Sequence, residues 1–583
     1  MTVRPIRDPA TFEVFRNAVS GLADQMAVTI LRTAHSQIVA ESMDFSTALC
    51  DPAGRLIAQA NTIAVHLGST PDAMGAILAR FGDSISPGDV YMLNDPDMGG
   101  MHLPDIFVVM PVHVGDELIG FSVTVANHHD VGGWAAGSMA VQSTSIFAEG
   151  IQIPPTRLVD KGLLNEPLLA LVRRNCREPQ LFQGDLDSQV AACNAGALGL
   201  RELAARYGRE ELAVLSGELL DYSETLLVSV LEHLDPGVYT FEDFLDDDGL
   251  GSEPIPLRVS CTVSHEGVLF DFTGTSPQVP SALNATESFT KSAAYAALQG
   301  AVGIDIPPNN GFYRPLSFVI PKGTILNPIR PAPRGARGLT GLRLIDVVLG
   351  ALAPVFPATV PAAGDGSPNT VAVGVSYPDG TSSLIWDVLC GAWGARPDKD
   401  GLDGASSLGA NLANTPIEEI ERSGLVRIDG YGLLPDTGGA GRFRGGLATF
   451  RDMTLLYDRA TLRGRSDRRR FVPYALQGGR PGEPSWNILN CGGPGEVILP
   501  TKPNIEIVRG ARHRHVTASG GGYGNPLERD PALVLEDVLD GKVSPEVAER
   551  DYAVVIEDGA VLVQQTRVLR TERAALCPRE SEV

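Results

Sequence analysis

Asp44, His102, Asp105 and His128 are the residues of this chain whose types and spacing point most directly to chemistry. His102-Leu-Pro-Asp105 precedes an apolar, β-branched run from Ile106 to Val112. A second run, Leu118 to Ala126, leads into Asn127-His128-His129-Asp130. Gly115-Asp116 between the runs is turn chemistry, so the stretch reads as a β-hairpin. With the turn centred there, opposed residue numbers sum to about 231, which sets Asp105 against Ala126 and His102 level with His128 and His129. Pro111 fits such a strand only at an edge or a bulge. Two imidazoles and a carboxylate at one open hairpin end outline a divalent metal site. Asp44, in Glu41-Ser-Met-Asp-Phe-Ser46, could complete a set of two histidines and two aspartates suited to Zn, Mn or Fe. Such an ion lowers the pKa of bound water or polarises a carbonyl or phosphoryl oxygen. Taken singly, each residue also has a structural reading, as a packed or surface histidine or a capping carboxylate. Crowding is what points to a site: six of the ten histidines (35, 66, 102, 113, 128 and 129) lie in the first 129 residues.

The elements around these residues follow from composition and period. With 583 residues, two to four domains are expected. Forty-three per cent apolar and 20% charged residues, with mean hydropathy near zero, describe an ordinary globular chain. A net charge of −23 argues against nucleic acid or an anionic membrane surface as partner and fits a cytoplasmic protein. Seven scattered cysteines without a CxxC exclude a disulfide framework or zinc ribbon, and no apolar run is long enough to span a membrane. The N-terminus carries no signal-like apolar stretch.

Asp8-Pro9 opens a helix carrying Phe12, Phe15, Val19, Leu22, Met26 and Leu31 to about residue 35. A short hairpin around Asp51-Pro-Ala-Gly54 follows, then a helix over 70–81. Helical stripes occupy 186–204, with Gly208 as the stop, and 210–234; strands follow at 238–244, 256–264 and 267–272. Helices are expected at 286–303, 341–356 and 531–541, with short strands and glycine turns dominating beyond 365. The fold class expected is mixed α/β (α+β), in three regions: an N-terminal α/β metal-site region (1–236), a middle α+β region (237–365) and a strand-rich C-terminal region (366–583).

Walker A and Gly-x-Ser-x-Gly patterns are absent, so neither nucleotide binding by a P-loop nor a serine hydrolase is indicated. Gly438 to Gly446 and Ser519 to Gly524 do not join a strand to a helix in a βαβ unit and read as tight turns or close backbone approaches.

Several stretches together resemble the hydantoinase B/oxoprolinase family nearly end to end: Asp44-Phe-Ser46, Gly54 to Gln59, His66-Leu-Gly68, Asn94-Asp-Pro96, Gly99 to Asp105, His128 to Gly133, Glu149 to Pro155, Gly184-Asp-Leu186 and Gly520 to Asp530. The resemblance implies a subunit of an ATP-dependent hydrolase of cyclic amides (hydantoins, 5-oxoproline, lactams). A hydantoinase A-type partner would bind the ATP and phosphorylate the substrate's carbonyl oxygen, in a hetero-oligomer. It implies metal ligands at Asp44, His102, Asp105 and His128, with Asp130 or His129 as base or orienting group and His66 lining the pocket or serving structure. Two departures stand out. Where relatives read His-His-x-Asp, this chain has Asn127-His128-His129-Asp130, and the residue before His102 is Met101 instead of Thr. The alternatives are a subunit of an acetone- or acetophenone-type ATP-dependent carboxylase, and a non-catalytic scaffold for the ATPase.

Overall fold

The site is built on a seven-stranded antiparallel sheet. The computed structural model describes residues 6–251 and 253–576. Its first sheet comprises β1 (Phe45–Cys50), β2 (Leu56–Gln59), β3 (Val90–Leu93), β4 (Asp105–Val114), β5 (Glu117–Asn127), β6 (Thr156–Asp160) and β7 (Leu163–Leu164), in the order β2-β1-β5-β4-β3-β6-β7. The longest pair, β4 and β5, is the expected hairpin, with Gly115 at φ +61° in its turn.

The register differs from the expectation by one residue. Near the turn, pairs sum to 231 (His113 with Leu118), but a bulge after Val112 shifts the rest, so Asp105 faces Asn127 and not Ala126. A one-residue slip moves every side chain to the opposite face, so this bulge decides which residues can meet Asp105. Pro111 sits in an interior strand, yet it lies beyond the β3 pairing, which stops at Val109, so its missing N–H breaks no ladder bond on that side.

Both faces of the sheet are covered. Ile106, Val108, Met110 and Ala126 pack beneath α1 (Pro9–Thr33) and α2 (Pro179–Tyr207). Asp8 caps α1 by accepting from Ala10 N at 3.1 Å. Phe12, Phe15, Val19, Leu22 and Met26 are buried as expected; Ile30 takes the next core position, leaving Leu31 at 40% exposure, because a four-residue step from Met26 keeps the stripe on one side. Gly208, at φ +84°, ends α2.

The other face carries Phe107, Val109, Phe121, Val123 and Val125. It shares one core with a second sheet and with helices α3 (Glu287–Ala301) and α4 (Arg337–Leu352). That sheet contains β8 (Gly237–Leu245), β9 (Ile255–Val263), β10 (Val268–Asp271) and β11 (Leu316–Val319), with only the β10–β11 pair parallel. Helix α4 is buried along its whole length and starts four residues before the expected 341. Gly341 is what lets it approach α3, since a Cβ there would stand 1.9 Å from Phe289 Cε1.

The chain beyond residue 369 forms a four-stranded and a five-stranded sheet, giving the mixed α/β architecture expected. Its two glycine-rich stretches pack backbone against backbone: a Cβ on Gly445 would stand 1.9 Å from Gly520 O. Two helices at Pro545–Tyr552 and Val563–Leu576 lie outside the elements expected from the sequence. Among the described residues every cysteine is unpaired, and no helix is long and apolar enough to cross a membrane.

Two buried histidines in the five-stranded sheet carry a pH prediction. His513 and His515 both approach Asn487 Oδ1, at 3.2 and 2.8 Å, and burial lowers their pKa values to about 4 and about 3. In the unfolded chain they protonate near pH 6.5. Because the unfolded state then binds more protons, their contribution to stability is complete above about pH 6.5 and falls as pH drops toward their folded values. Urea midpoints should decline between pH 7 and pH 5, and His515→Gln should flatten that decline.

Candidate metal centre

The two-residue alternation of strands sorts the candidate residues onto two sides of the sheet. Asp105 has the parity of Phe107 and Val109, Asn127 that of Val125, and Asp44 that of Ser46 and Ala48 in β1, so all three turn toward the core shared with α3 and α4. His128, one residue further on, lies on the α2 side. Its Nε2 is 2.9 Å from Gln189 Oε1, and its ring packs at 4.7 Å from that of Phe182. Among the described residues no hydrogen bond or ion pair links His128 to Asp44, His102 or Asp105.

Four side chains gather on the inner side. His102 Nδ1 comes to 2.8 Å from Asp105 Oδ2. His66, on the short helix Ala64–Leu67, places Nε2 3.5 Å from Asp44 Oδ1 and 3.9 Å from Asp105 Oδ1. Asn127 Nδ2 donates to Asp44 Oδ2 at 3.0 Å, and Asn127 N to Asp44 O at the same distance, so the residue that departs from the family pattern ties Asp44 to the hairpin. His102 and Asp105 are fully buried; the Asp44 side chain, 13% exposed, is the opening toward solvent.

Two arginines complete the cluster. Arg337, the first residue of α4, pairs with Asp105 Oδ2 and lies 4.3 Å over the Phe289 ring. Arg465 reaches Thr370 Oγ1 through Nε at 2.7 Å; its Nη1 stands 3.4 Å from Met139 Sδ, the sulfur that is also 3.4 Å from His102 Nε2. No motif marks either arginine: each comes from a distant part of the chain, and only the tertiary fold brings it here.

The electrostatics separate the four groups. Burial lowers His66 and His102 to about 4, leaving both imidazoles neutral at pH 7. Asp105 is held well below the usual carboxylate range: Arg337, His102 and His66 outweigh the opposing effect of burial. Asp44 is pushed up to about 7 by burial and by the neighbouring Asp105 charge. Neutral imidazoles beside carboxylates are the forms a metal requires.

The residue types, two imidazoles and two carboxylates, are those a divalent ion takes, although among the described residues no three of them are arranged to hold one. Ligands bound tetrahedrally at Zn-like distances stand roughly 3.4 Å apart, close to the 3.5 and 3.9 Å from His66 to the two carboxylates. Asp105 Oδ1 and His66 Nδ1 are buried without a hydrogen-bond partner. Among the described residues no such group forms a ready-made cage, and Arg337 holds the Asp105 oxygen that also faces His102. These side chains would therefore have to rearrange to hold an ion.

Asp130 and His129, expected as base or orienting groups, organise the following loop. Asp130 Oδ1 accepts from Gly132 N and Arg177 N, and Oδ2 from Gly137 N and Arg177 Nη1, all within 3.0 Å. His129 Nε2 lies 2.9 Å from Glu178 Oε2. With these four contacts both Asp130 oxygens are engaged in holding the loop.

Comparison with known proteins identifies the family. The hydantoinase B/oxoprolinase family model matches residues 8–526. A protein of Pseudomonas sp. (strain NS671), named as a putative D-/L-hydantoinase component, is 34% identical, over 97% of this chain and 98% of its own length. The crystal structure of ATP-dependent caprolactamase from Pseudomonas jessenii superposes with a TM-score of 0.89 at 30% identity, covering 97% of this chain and all of that one. Acetone carboxylase, in a nucleotide-free structure, has the same TM-score at 19% identity, over 99% of this chain and 84% of that one, a likeness of fold. The chain belongs to the hydantoinase B/oxoprolinase family.

Proposed function

We propose that this chain is the metal-dependent hydrolytic subunit of an ATP-dependent enzyme that opens small cyclic amides, and that a hydantoinase A-type partner binds ATP and phosphorylates the substrate's carbonyl oxygen. The observation that carries the reading is the gathering of Asp44, His66, His102 and Asp105 on the inner side of the sheet. The names of the caprolactamase and hydantoinase relatives supply the substrate class. Resonance makes a ring amide a poor electrophile; phosphorylating its oxygen activates the ring carbon, water adds there, the C–N bond breaks with the nitrogen taking up a proton, and hydrolysis of the resulting acyl phosphate releases phosphate.

Asp44, His66, His102 and Asp105 would hold the ion, with Zn, Mn or Fe as candidates. When bound, such an ion would supply Lewis-acid chemistry and ready water as a nucleophile. The chain's own residues prepare the rest. Neutral His66 and His102 keep lone pairs free, while Arg337 keeps Asp105 ionised. Arg337 and Arg465 set two fixed positive charges where negative charge develops on a departing phosphate. Burial beneath Phe289 and Met139 lowers the local dielectric and strengthens these interactions.

The test is co-expression with a hydantoinase A-type ATPase subunit, elemental analysis, and ATP turnover with hydantoins, 5-oxoproline and lactams. About one divalent ion per chain and ring opening that needs ATP and both subunits are expected. Bicarbonate-dependent consumption of a ketone would replace the reading with a carboxylase. A metal-free chain that only raises its partner's yield would replace it with a scaffold.

A further inference from the structure

Two arginines next to the candidate metal centre have no counter-ion of their own. Arg463 and Arg465 belong to the strand Arg459–Arg465, which pairs with the strand Thr370–Ser376. Their two-residue spacing puts both on the face opposite the buried Leu462. Arg463 lies 5.5 Å over the Trp134 ring, and Arg465 lies 5.3 Å over that of Trp386. Arg463 Nη1 donates to Ala136 O at 3.5 Å, and Arg465 Nη1 stands 3.4 Å from Met139 Sδ. The loop from Trp134 to Met139 thus ties Arg463 at its outer end and Arg465 at the end that touches His102.

The charges around the pair do not balance. Asp130 is committed to Arg177, and Asp105 to Arg337. No carboxylate offsets the burial of Arg463, and the neighbouring Arg177 only adds like charge. Arg465 feels the like charge of Arg337 and, against it, only Asp44, a carboxyl already pushed up to about 7. Arginines removed from bulk water are ordinarily paired, so two side by side without a carboxylate make a donor surplus. The surplus is reachable. Both residues are partly exposed, and among the described residues Nη2 of each donates to nothing without being enclosed.

We infer that Arg463 and Arg465 form a subsite for a phosphoryl group, carried by the activated substrate or released as phosphate, with Arg463 as its outer binding residue. Guanidiniums roughly 7 Å apart along a strand grip one tetrahedral oxyanion from two sides. The indole faces behind them hold the forks in place. The identity of the anion rests on the ring-hydrolysis reading; the presence of an anion site does not.

Calorimetric titration of the full chain with inorganic phosphate and with phenyl phosphate at low salt tests it. Saturable binding that weakens as NaCl rises is expected. Arg463→Met should weaken it by about tenfold or more, with metal content and melting temperature unchanged. Arg463→Lys should fall between the two, because lysine keeps the charge and loses the fork. Tighter binding of phenyl phosphate assigns the phosphorylated substrate, and equal binding assigns released phosphate. In the enzyme assembled with its ATPase subunit, Arg463→Met should raise the ATP consumed per ring opened severalfold, since an intermediate that is not gripped escapes. Absent phosphate binding, or equal binding by wild type and Arg463→Met, overturns the proposal. So does a variant whose only defect is weaker association with the ATPase subunit, which would make the pair a dock for a partner carboxylate. If phosphate binds as expected and no ring opens, the anion site stands and the ring-hydrolysis reading falls. If rings open with ATP and phosphate binding ignores Arg463, the outcome is the reverse.

Discussion

Asp105→Asn is expected to empty the proposed metal centre and to cut ring opening by the assembled enzyme about 10³-fold or more, equivalent to about 4 kcal/mol of transition-state stabilisation. Asp105 is the hub: within 4 Å of its carboxylate stand His102, His66 and Arg337. The substitution keeps the shape, removes the charge and leaves Arg337 as a buried cation without its counter-ion, which by itself destabilises by roughly 3–5 kcal/mol. Two explanations for lost activity therefore compete, and the companion variants separate them. His66→Gln removes a proposed donor but no counter-charge, so metal content should fall while the melting temperature hardly moves. His128→Gln removes a ring that contacts Gln189 and Phe182 on the other side of the sheet, so metal content should persist and stability should drop by about 1–2 kcal/mol. Asn127→His adds an imidazole beside Asp44 and should tighten metal binding. If His128→Gln strips the ion while His66→Gln keeps it, the donor set named here is wrong. If neither affects it, the cluster is an ion-pair network and no metal centre.

Much of the scaffold around this centre could be read from local chemistry. Asp8-Pro9 and its apolar stripe define α1, and Gly115-Asp116 between β-branched runs defines the hairpin, because each signal is contained within a few residues. The bulge was not legible. It depends on Gly120, whose φ of +157° and lack of a side chain let β5 pass Cys50 O, where a Cβ would stand at 2.6 Å. That contact is made by a strand seventy residues earlier, and the face that Asp105 shares depends on it. From the expected register Asp105 faces Ala126; from the observed one, Asn127. The histidine cluster was visible as crowding, but which histidines act together is a question of parity and register. Arg337 and Arg465 left no trace, since arginine at a helix start or strand end is ordinary until the fold sets it against a buried carboxylate.

The second large effect lies in the buried charges that join α4 to the second sheet and to the loop after residue 465. Arg468→Met should destabilise the chain by about 3–5 kcal/mol, more than most surface substitutions together. Arg468 is fully buried. It reaches Asp243 Oδ2 in β8 at 2.9 Å through Nη1 and pairs with Asp346 of α4 through Nη2. Arg343 of α4 continues the network to Asp467 at 2.8 Å, and Lys502 meets the other oxygen of Asp467 at 2.9 Å. Methionine fills a similar volume but leaves Asp243 and Asp346 short of a cation in a dry interior. Burial already raises the Asp346 carboxyl against the pull of Arg468 and Arg343, so losing Arg468 drives it higher still. The sign of the pH effect follows. A carboxyl whose folded pKa is raised binds its proton more tightly in the folded state, so the variant recovers stability as pH falls and loses it as pH rises through that pKa. The gap in urea midpoint between wild type and Arg468→Met should accordingly narrow from pH 8 to pH 5.5, the reverse of a simple packing defect, whose cost has no pH dependence. Adding Asp346→Asn should restore much of the loss at pH 8, because the surviving neutral amide no longer asks for a counter-ion; a double variant as unstable as the single one would show that the guanidinium contributes by packing and not by charge.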